Sequence, residues 1–353
     1  MLVQVCPPGT GGVRDYADCL RHAWAVRAIA SELIEGREAT AGETPLAARL
    51  DALAAVARDG RLTVILHFSG YGYAGRGLCQ WLVDELRAAK ARHGASLRLM
   101  VVFHELFATG MPWRSAFWLA PRQSSIARRL AALADSLWTN TDHHARWLRS
   151  AAGAAVPLQV RPVFSNVGEP VDPPSWGSRQ PHAIVFGSAG TRRRALVSLR
   201  GREPALLRLG VTEIVEVGDG DSQCAQGLGV ATRQLGRLSP QALGALLCTA
   251  RFGLLNYPAR HLGKSGVFAA YAAHACVALN TFALDADADG LRAGAHYVDL
   301  RACAQLEDDA LAQMSKRLTR WYGGHSLALQ SGELLHAAAS VRAAPAAMAR
   351  ASR

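Results

Sequence analysis

Four short stretches of this 353-residue chain place chemically capable residues at the ends of apolar runs. The first is Pro7-Pro8-Gly9-Thr10-Gly11-Gly12-Val13-Arg14-Asp15-Tyr16. Its glycines let backbone N–H groups approach a ligand, and the start of a following helix favours negative charge. It is not a dinucleotide fingerprint, because Gly9-Thr10-Gly11 lacks a third glycine three residues on. A tight strand-to-helix turn is the competing reading. The second stretch is Gly263-Lys264-Ser265-Gly266, between a strand-like run ending near Asn256 and a helical run from Val267. One ammonium and the N–H groups of a helix start suit a phosphate. The stretch imitates a P-loop, but Pro258 stands where that loop's first glycine belongs. Phosphate contact, a plain helix cap with a solvated lysine, and a nucleotide triphosphatase loop therefore all stay open. Third, His104-Glu105 ends an apolar run, as His67 does ahead of Ser69-Gly70-Tyr71-Gly72-Tyr73. Histidines so placed serve either as hydrogen-bonding groups of a site or as packed core residues. Fourth, Arg192-Arg193-Arg194 follows Gly187-Ser188-Ala189-Gly190-Thr191 and is either a phosphate contact or a solvated face.

The elements that must position these residues follow from hydrophobic period. Leu2–Cys6, Leu62-Thr63-Val64-Ile65-Leu66, residues 97–103, residues 136–139 and residues 158–161 read as strands. Leu78, Leu82 and Leu86 recur at helical spacing, Pro121 opens a helix striped by Ile126, Leu130 and Leu133, and Thr141 or Asp142 caps another. Residues 165–177 carry proline and glycine punctuation without periodicity, as a linker does. Beyond it, strands are expected at 183–186, 213–217, 252–255, 276–279 and 296–298. Ser239-Pro240 starts one helix, and Leu311, Met314, Leu318 and Trp321 stripe another. Strands alternating with helices imply parallel sheets covered on both faces.

Composition narrows the class. The length exceeds two typical domains of about 150 residues, and 50% of residues are hydrophobic, which excludes a disordered or collagen-like chain. Lys and Arg number 39 against 28 Asp and Glu, a net charge of +11, although only 19% of residues are charged. The sign favours phosphate-bearing partners: nucleic acid, a nucleotide-sugar or an anionic membrane. Arg122, Arg128, Arg129, Arg146 and Arg149 cluster on two neighbouring helical segments, either a membrane-facing patch or a solvated face. The seven cysteines form no CxxC pair and no zinc spacing, as expected in a reducing compartment, and His143-His144 point to different helix faces, against a metal pair. Residues 266–284, free of Asp, Glu, Lys and Arg, approach membrane-span length but contain Tyr271, His274, Asn280 and Thr281 and change from Ala-rich helix to strand character. No signal peptide is read at the N-terminus, since the apolar run stops at Pro7.

Gly11-Gly12-Val13-Arg14-Asp15-Tyr16, residues 67–73, Phe103-His104-Glu105-Leu106, Trp113-Arg114-Ser115, Phe117-Trp118-Leu119, residues 164–168 and Lys264-Ser265-Gly266-Val267-Phe268 onward to Tyr271 resemble, in order, one family. It is the bacterial GT-B glycosyltransferases of the group 1, retaining type found among polysaccharide-assembly enzymes. The resemblance implies an α/β chain with two Rossmann-like, doubly wound domains facing a central cleft. These would be an acceptor-side domain at 1–166, a nucleotide-sugar donor domain at 182–325 and a helical tail at 326–353. It implies transfer of a sugar from a nucleotide-diphosphate donor to a glycan or lipid-linked acceptor, in the cytoplasm and peripheral to the inner face of an anionic membrane. No tightly bound cofactor, no metal and no nucleic acid partner are implied. Lys264 and the Ser265 and Gly266 amides, with Gly187 and Arg192, would hold the donor diphosphate. The Gly11-Gly12 loop would meet donor phosphate or acceptor, His104 would hydrogen-bond the transferred sugar, and Glu105 or Asp15 would orient the acceptor hydroxyl. One departure stands out: the family's two donor-site glutamates, separated by seven residues, fall on His261 and Ala269. That leaves a non-catalytic, nucleotide-sugar-binding relative as the alternative, with a P-loop protein third.

Overall fold

The computed structural model describes residues 1–220, 223–282, 287–302 and 305–340. Cys303, the last two positions of the 266–284 stretch and the alanine-rich end beyond Ser340 lie outside the described residues. The chain forms two compact units, one of residues 1–140, 144–160 and the segment from Ala328, the other of residues 141–143 and 161–327.

The first unit is a wholly parallel sheet of six strands: β1 Leu2–Cys6, β2 Ser31–Glu35, β3 Leu62–Phe68, β4 Leu97–Phe103, β5 Ser136–Thr139 and β6 Leu158–Val160. Their spatial order is β2-β1-β3-β4-β5-β6. Helices α1 Gly12–Val26, α2 Leu46–Val56, the single turn α3 Gly70–Tyr73, α4 Gln80–His93, α5 Ser115–Leu133 and α6 Asp142–Ala152 intervene. β3 and β4 are buried at nearly every position because helices cover both faces. One core gathers Val3, Val5, Val64, Leu66, Leu99 and Val101 with Leu82 and Leu86 of α4 and Ile126 and Leu130 of α5. The helix expected to open at Pro121 instead starts at Ser115 and runs through it. Proline's φ suits a helix, and its missing N–H costs one bond to the carbonyl four residues earlier, that of the exposed residue Phe117. Strand β2 carries only two adjacent apolar residues and owes its form to pairing with β1.

The second unit holds β7 Gln180–Phe186, β8 Glu213–Val217, β9 Ala231–Gln234, β10 Ala250–Leu255, β11 Val277–Asn280 and β12 Tyr297–Asp299, again all parallel. The order is β9-β8-β7-β10-β11-β12. Its helices are α7 Ala189–Leu199, α8 Glu203–Arg208, α9 Pro240–Thr249, α10 Gly266–Ala273 and α11 Asp308–Gly323. Ser239 caps α9 through the Ala242 N–H, as its sequence signal implies. The chain then leaves this unit through α12 Leu327–Ser340, which docks on α1 of the first unit, where the Trp24 indole N–H donates to Ser331 O at 3.0 Å. Edge strand β9 is exposed at all four positions and was not legible as a strand; an Arg233–Glu213 ion pair at 3.0 Å ties it to β8. The 266–284 stretch resolves into α10 and β11, and no helix of the described residues is long and apolar enough to cross a membrane.

Candidate functional site

In open parallel sheets ligands bind beyond strand C-termini, where the strand order reverses. In the second unit that point lies between β7 and β10. Tyr271 helps to seat helix α10 over it: the fully buried ring lies on Gly253 of β10, where any Cβ would collide with it. The Tyr271 hydroxyl reaches Ile184 O of β7 at 2.8 Å and Leu254 O of β10 at 3.0 Å. The N-terminus of α10 is thereby fixed beside the β7 loop, where Gly187, at φ +113°, has Val267 3.3 Å from the position of a Cβ. Ser265 caps α10 by accepting from the Phe268 N–H at 3.2 Å. Half-buried Lys264 ends a short 3₁₀ segment, Ala259–Lys264, that is held from the linker side by the Val163 N–H donating to Gly263 O at 2.8 Å. The structure thus brings Gly187, Lys264, Ser265 and Gly266 to one place.

Arg192 belongs to the same region but turns inward. Its guanidinium is 3% exposed, pairs with Glu216 of β8 at 2.8 Å, and donates to Gly187 O at 2.7 Å and to Asp219 O. It is neither a solvated face nor an outward phosphate clamp; it braces the loops after β7 and β8. The P-loop reading fails on backbone form, because residues 259–264 are helical rather than wrapped around an anion. Of the two positions that carry glutamate in the resembled family, Ala269 is buried within α10, and the His261 ring meets His143 with centroids 5.8 Å apart. His144, by contrast, is buried beside Thr139 at 3.4 Å, so the adjacent histidines do face apart.

In the first unit the order reverses between β1 and β3. The loop after β1 carries Gly11 at φ +144° as the residue before α1, with Gly12 and Asp15 in the first turn and exposed. His104 follows β4 and is buried; Glu105 is exposed and accepts from Ser69 Oγ at 2.9 Å. The parallel registers set Gln4 opposite Ile65, and His67 opposite Val102. Alternation along the strands then puts Gln4, His67 and His104 on one face, opposite the apolar core. There His67 lies 2.9 Å from Gln4 Oε1 and 3.2 Å from His104 Nε2, and the Tyr16 ring packs edge-on against both imidazoles. Burial, and secondarily the neighbouring His104, push His67 well below the usual histidine range. Residue type and spacing do not single out Gln4, although a glutamine inside Leu2-Val3-Gln4-Val5-Cys6 is the polar break that marks it.

No family model and no curated protein matches this chain by sequence. Solved structures match along nearly its whole length. Anabaena HepE in complex with UDP and glucose is 14% identical, covers 96% of this chain and 100% of its own, and has a TM-score of 0.58. This chain has the GT-B fold. An alpha-glucosyltransferase in complex with UDP and a 13-mer DNA is 9% identical over 96% of this chain and 99% of its own, at 0.57. WaaG, a glycosyltransferase involved in lipopolysaccharide biosynthesis, is 12% identical over 96% and 100%, at 0.52. At these identities the likeness is one of fold.

Proposed function

We propose that the protein transfers a hexose, with retention, from a nucleotide-diphosphate donor to a glycan or lipid-linked acceptor. The observation that carries the reading is the convergence of Gly187, Lys264 and the Ser265-capped start of α10 at the strand reversal of the second sheet. HepE, of like fold, is bound to UDP and glucose. Lys264 and the first N–H groups of α10 would stabilise the charge that grows on the departing diphosphate, acting where donors are preorganised. Arg192 supports this by bracing the Gly187 loop. His104 would hydrogen-bond the transferred sugar, and Glu105 or Asp15 would orient the acceptor hydroxyl. Thermal-shift screening with UDP, GDP and ADP, followed by transfer assays with the nucleotide that binds, tests the reading; no stabilisation by any of them overturns it.

Ala269 and His261 favour a second reading, a GT-B protein that binds a nucleotide-sugar without turning it over. It predicts stabilisation by a nucleotide and no hydrolysis or transfer from the matching nucleotide-sugar.

A lipid-linked acceptor would place the protein at the inner membrane face. Residues 106–134 contain no Asp or Glu, and within them Trp113 and Trp118 are 74% and 71% exposed beside exposed Met111, Arg114 and Arg122. Aromatic and basic residues together suit the headgroup region of an anionic bilayer.

A further inference from the structure

Residues 36–45 join β2 to α2, a connection longer than strand-to-helix loops usually are. With the first turn of α2 they shape a cavity of about 380 Å³, the size of a small-molecule site, lined by Arg37, Ala39, Glu43, Thr44 and Arg49. The loop is held at both ends and in the middle. The Gly36 N–H donates to Cys6 O at 2.9 Å, and a Cβ on Gly36 would stand 3.0 Å from the Tyr73 ring. At the far end the Ala47 N–H donates to Glu85 of α4 at 2.8 Å, and between them the Thr40 N–H donates to Glu43 Oε2 at 2.9 Å. The charges are unevenly matched. Glu35, the last residue of β2, already faces Arg14 at 2.9 Å and Arg37 at 3.6 Å. Half-buried Arg49 makes no ion pair among the described residues; its Nη1 donates to Glu35 O at 2.8 Å, which uses one of the five N–H groups of a guanidinium. Such a cation suits a carboxylate or a phosphate. Glu43 adds an acceptor to the same wall, which repels a bare ion but takes a hydrogen bond from a hydroxyl.

Resting on the sugar-transfer reading, we propose that this cavity is an acceptor subsite for an acidic sugar residue, whose carboxylate or phosphate is bound by Arg49 and Arg37 while one of its hydroxyls donates to Glu43. The parallel strands put the cavity at the same C-terminal edge of the first sheet as Gly11, Gly12 and the loop after β4. In the order β2-β1-β3-β4, three strand spacings, about 14 Å, separate β2 from β4. That is further than one monosaccharide spans, so the acidic residue belongs to an acceptor of at least two sugars and is not the one that is glycosylated.

The test follows the arginine Nε–H signals of the ¹⁵N-labelled full chain at pH 6.5 during titration with methyl glucuronide, methyl glucoside 6-phosphate and neutral methyl glucoside, the Arg37 and Arg49 signals being assigned by Arg37→Gln and Arg49→Gln. Either acidic glycoside should shift both signals saturably and the neutral one should not; the tighter of the two names the acid group. No shift with either acidic glycoside overturns the proposal, as do inorganic phosphate and acetate that bind as tightly as the glycosides, which would show a site for simple ions only. Arg49→Gln keeps a donor for Glu35 O and, read at the Arg37 signal, should weaken binding about tenfold or more, as loss of a charged hydrogen bond does. Arg49→Lys should weaken it less, and Arg208→Gln, at an exposed position of α8, not at all. Arg37→Gln, at an exposed position that folding does not depend on, should also weaken binding, read at the Arg49 signal; unchanged affinity in both glutamine variants overturns the proposal. Thermal stabilisation by nucleoside diphosphates is measured on the same samples. Stabilisation without acidic-glycoside binding removes only this proposal, whereas binding at Arg49 without any nucleotide effect removes the transfer reading and, with it, the acceptor role of the cavity.

Discussion

At the scale of single residues the sharpest expectation concerns Lys264. A cation at a helix start meets more negative charge on a leaving diphosphate than on the bound donor, so its loss should reduce turnover more than affinity. Lys264→Ala is expected to lower kcat on the order of 10²-fold or more, as removal of an oxyanion-hole donor does. Lys264→Arg should recover only part, the guanidinium being planar and longer. Exposed Lys316 is the fitting control. Lys90 is not inert, since its ammonium lies 2.8 Å from both Asp135 and Leu133 O. Near wild-type kcat in Lys264→Ala would remove the donor-site assignment. Of the residues singled out by type and spacing, Lys264, Ser265, Gly266 and Gly187 do come together, while Arg192 could not be read correctly. A guanidinium three residues into a helix is the same in sequence whether it faces water or Glu216, and only the β7–β8 pairing decides.

At the scale of elements, one device braces the candidate donor site and a second shapes a surface. The Arg192–Glu216 pair joins α7 to β8 inside the protein, and removing one member leaves the other charged and buried. Glu216→Leu is expected to cost about 3–5 kcal/mol in urea unfolding, whereas the same change at exposed Glu38 should cost far less; equal effects would show that the pair does not brace the loops. The second device is α5. Its start, with Trp118 anchored by an indole N–H bond to Pro112 O at 2.9 Å, forms the aromatic and basic surface. Arg129 contributes less than its position on the helix suggests, because it is held by Gln80 at 2.6 Å, and Arg128 lies over the Trp147 ring at 5.5 Å. Co-sedimentation with vesicles containing anionic lipid should be present at low salt, weaken as salt screens it, and drop in a Trp113→Ala, Trp118→Ala double variant. No binding at low salt would remove the membrane reading and leave the donor site untouched.

For the whole molecule, stability should depend on pH through buried histidines. His325 packs against Trp321 and Tyr322, with ring centroids 4.3 and 5.1 Å away, and burial, then the Arg161 charge, hold its pKa down to about 3. Burial lowers His67 and His274 in the same direction. The unfolded chain binds protons below about pH 6.5 that the folded chain refuses, so stability rises with pH across the window from about 3 to 6.5 and falls on acidification. For His325 that difference costs roughly 2 kcal/mol at pH 5. Urea unfolding at pH 7.5, 6 and 5 should show the decline, and His325→Phe should flatten it; an unchanged slope would mean that another group dominates. Limited proteolysis is expected to cut near fully exposed Val171. The two fragments should then stay associated under native conditions, because α12 remains docked on α1 by the Tyr16–Gln330 and Trp24–Ser331 hydrogen bonds.

Sequence alone was enough for the α/β class, most of the strands and the glycine-rich and lysine-bearing loops. Continuous apolar runs such as β3 and β4 have few alternatives to a doubly covered parallel sheet, and caps such as Ser239 act within one turn. What tertiary structure decided was everything that depends on partners distant in the chain. Strands β2 and β9 exist because a neighbour pairs with them, and helix α12 groups with the first unit although it follows the second. The Gln4–His67–His104 line needed the strand registers, since residues 4, 67 and 104 share a face only when β1, β3 and β4 lie side by side. Local chemistry is written in neighbouring residues, but the direction of a side chain and the identity of its partner are set by packing, which no spacing along the chain encodes.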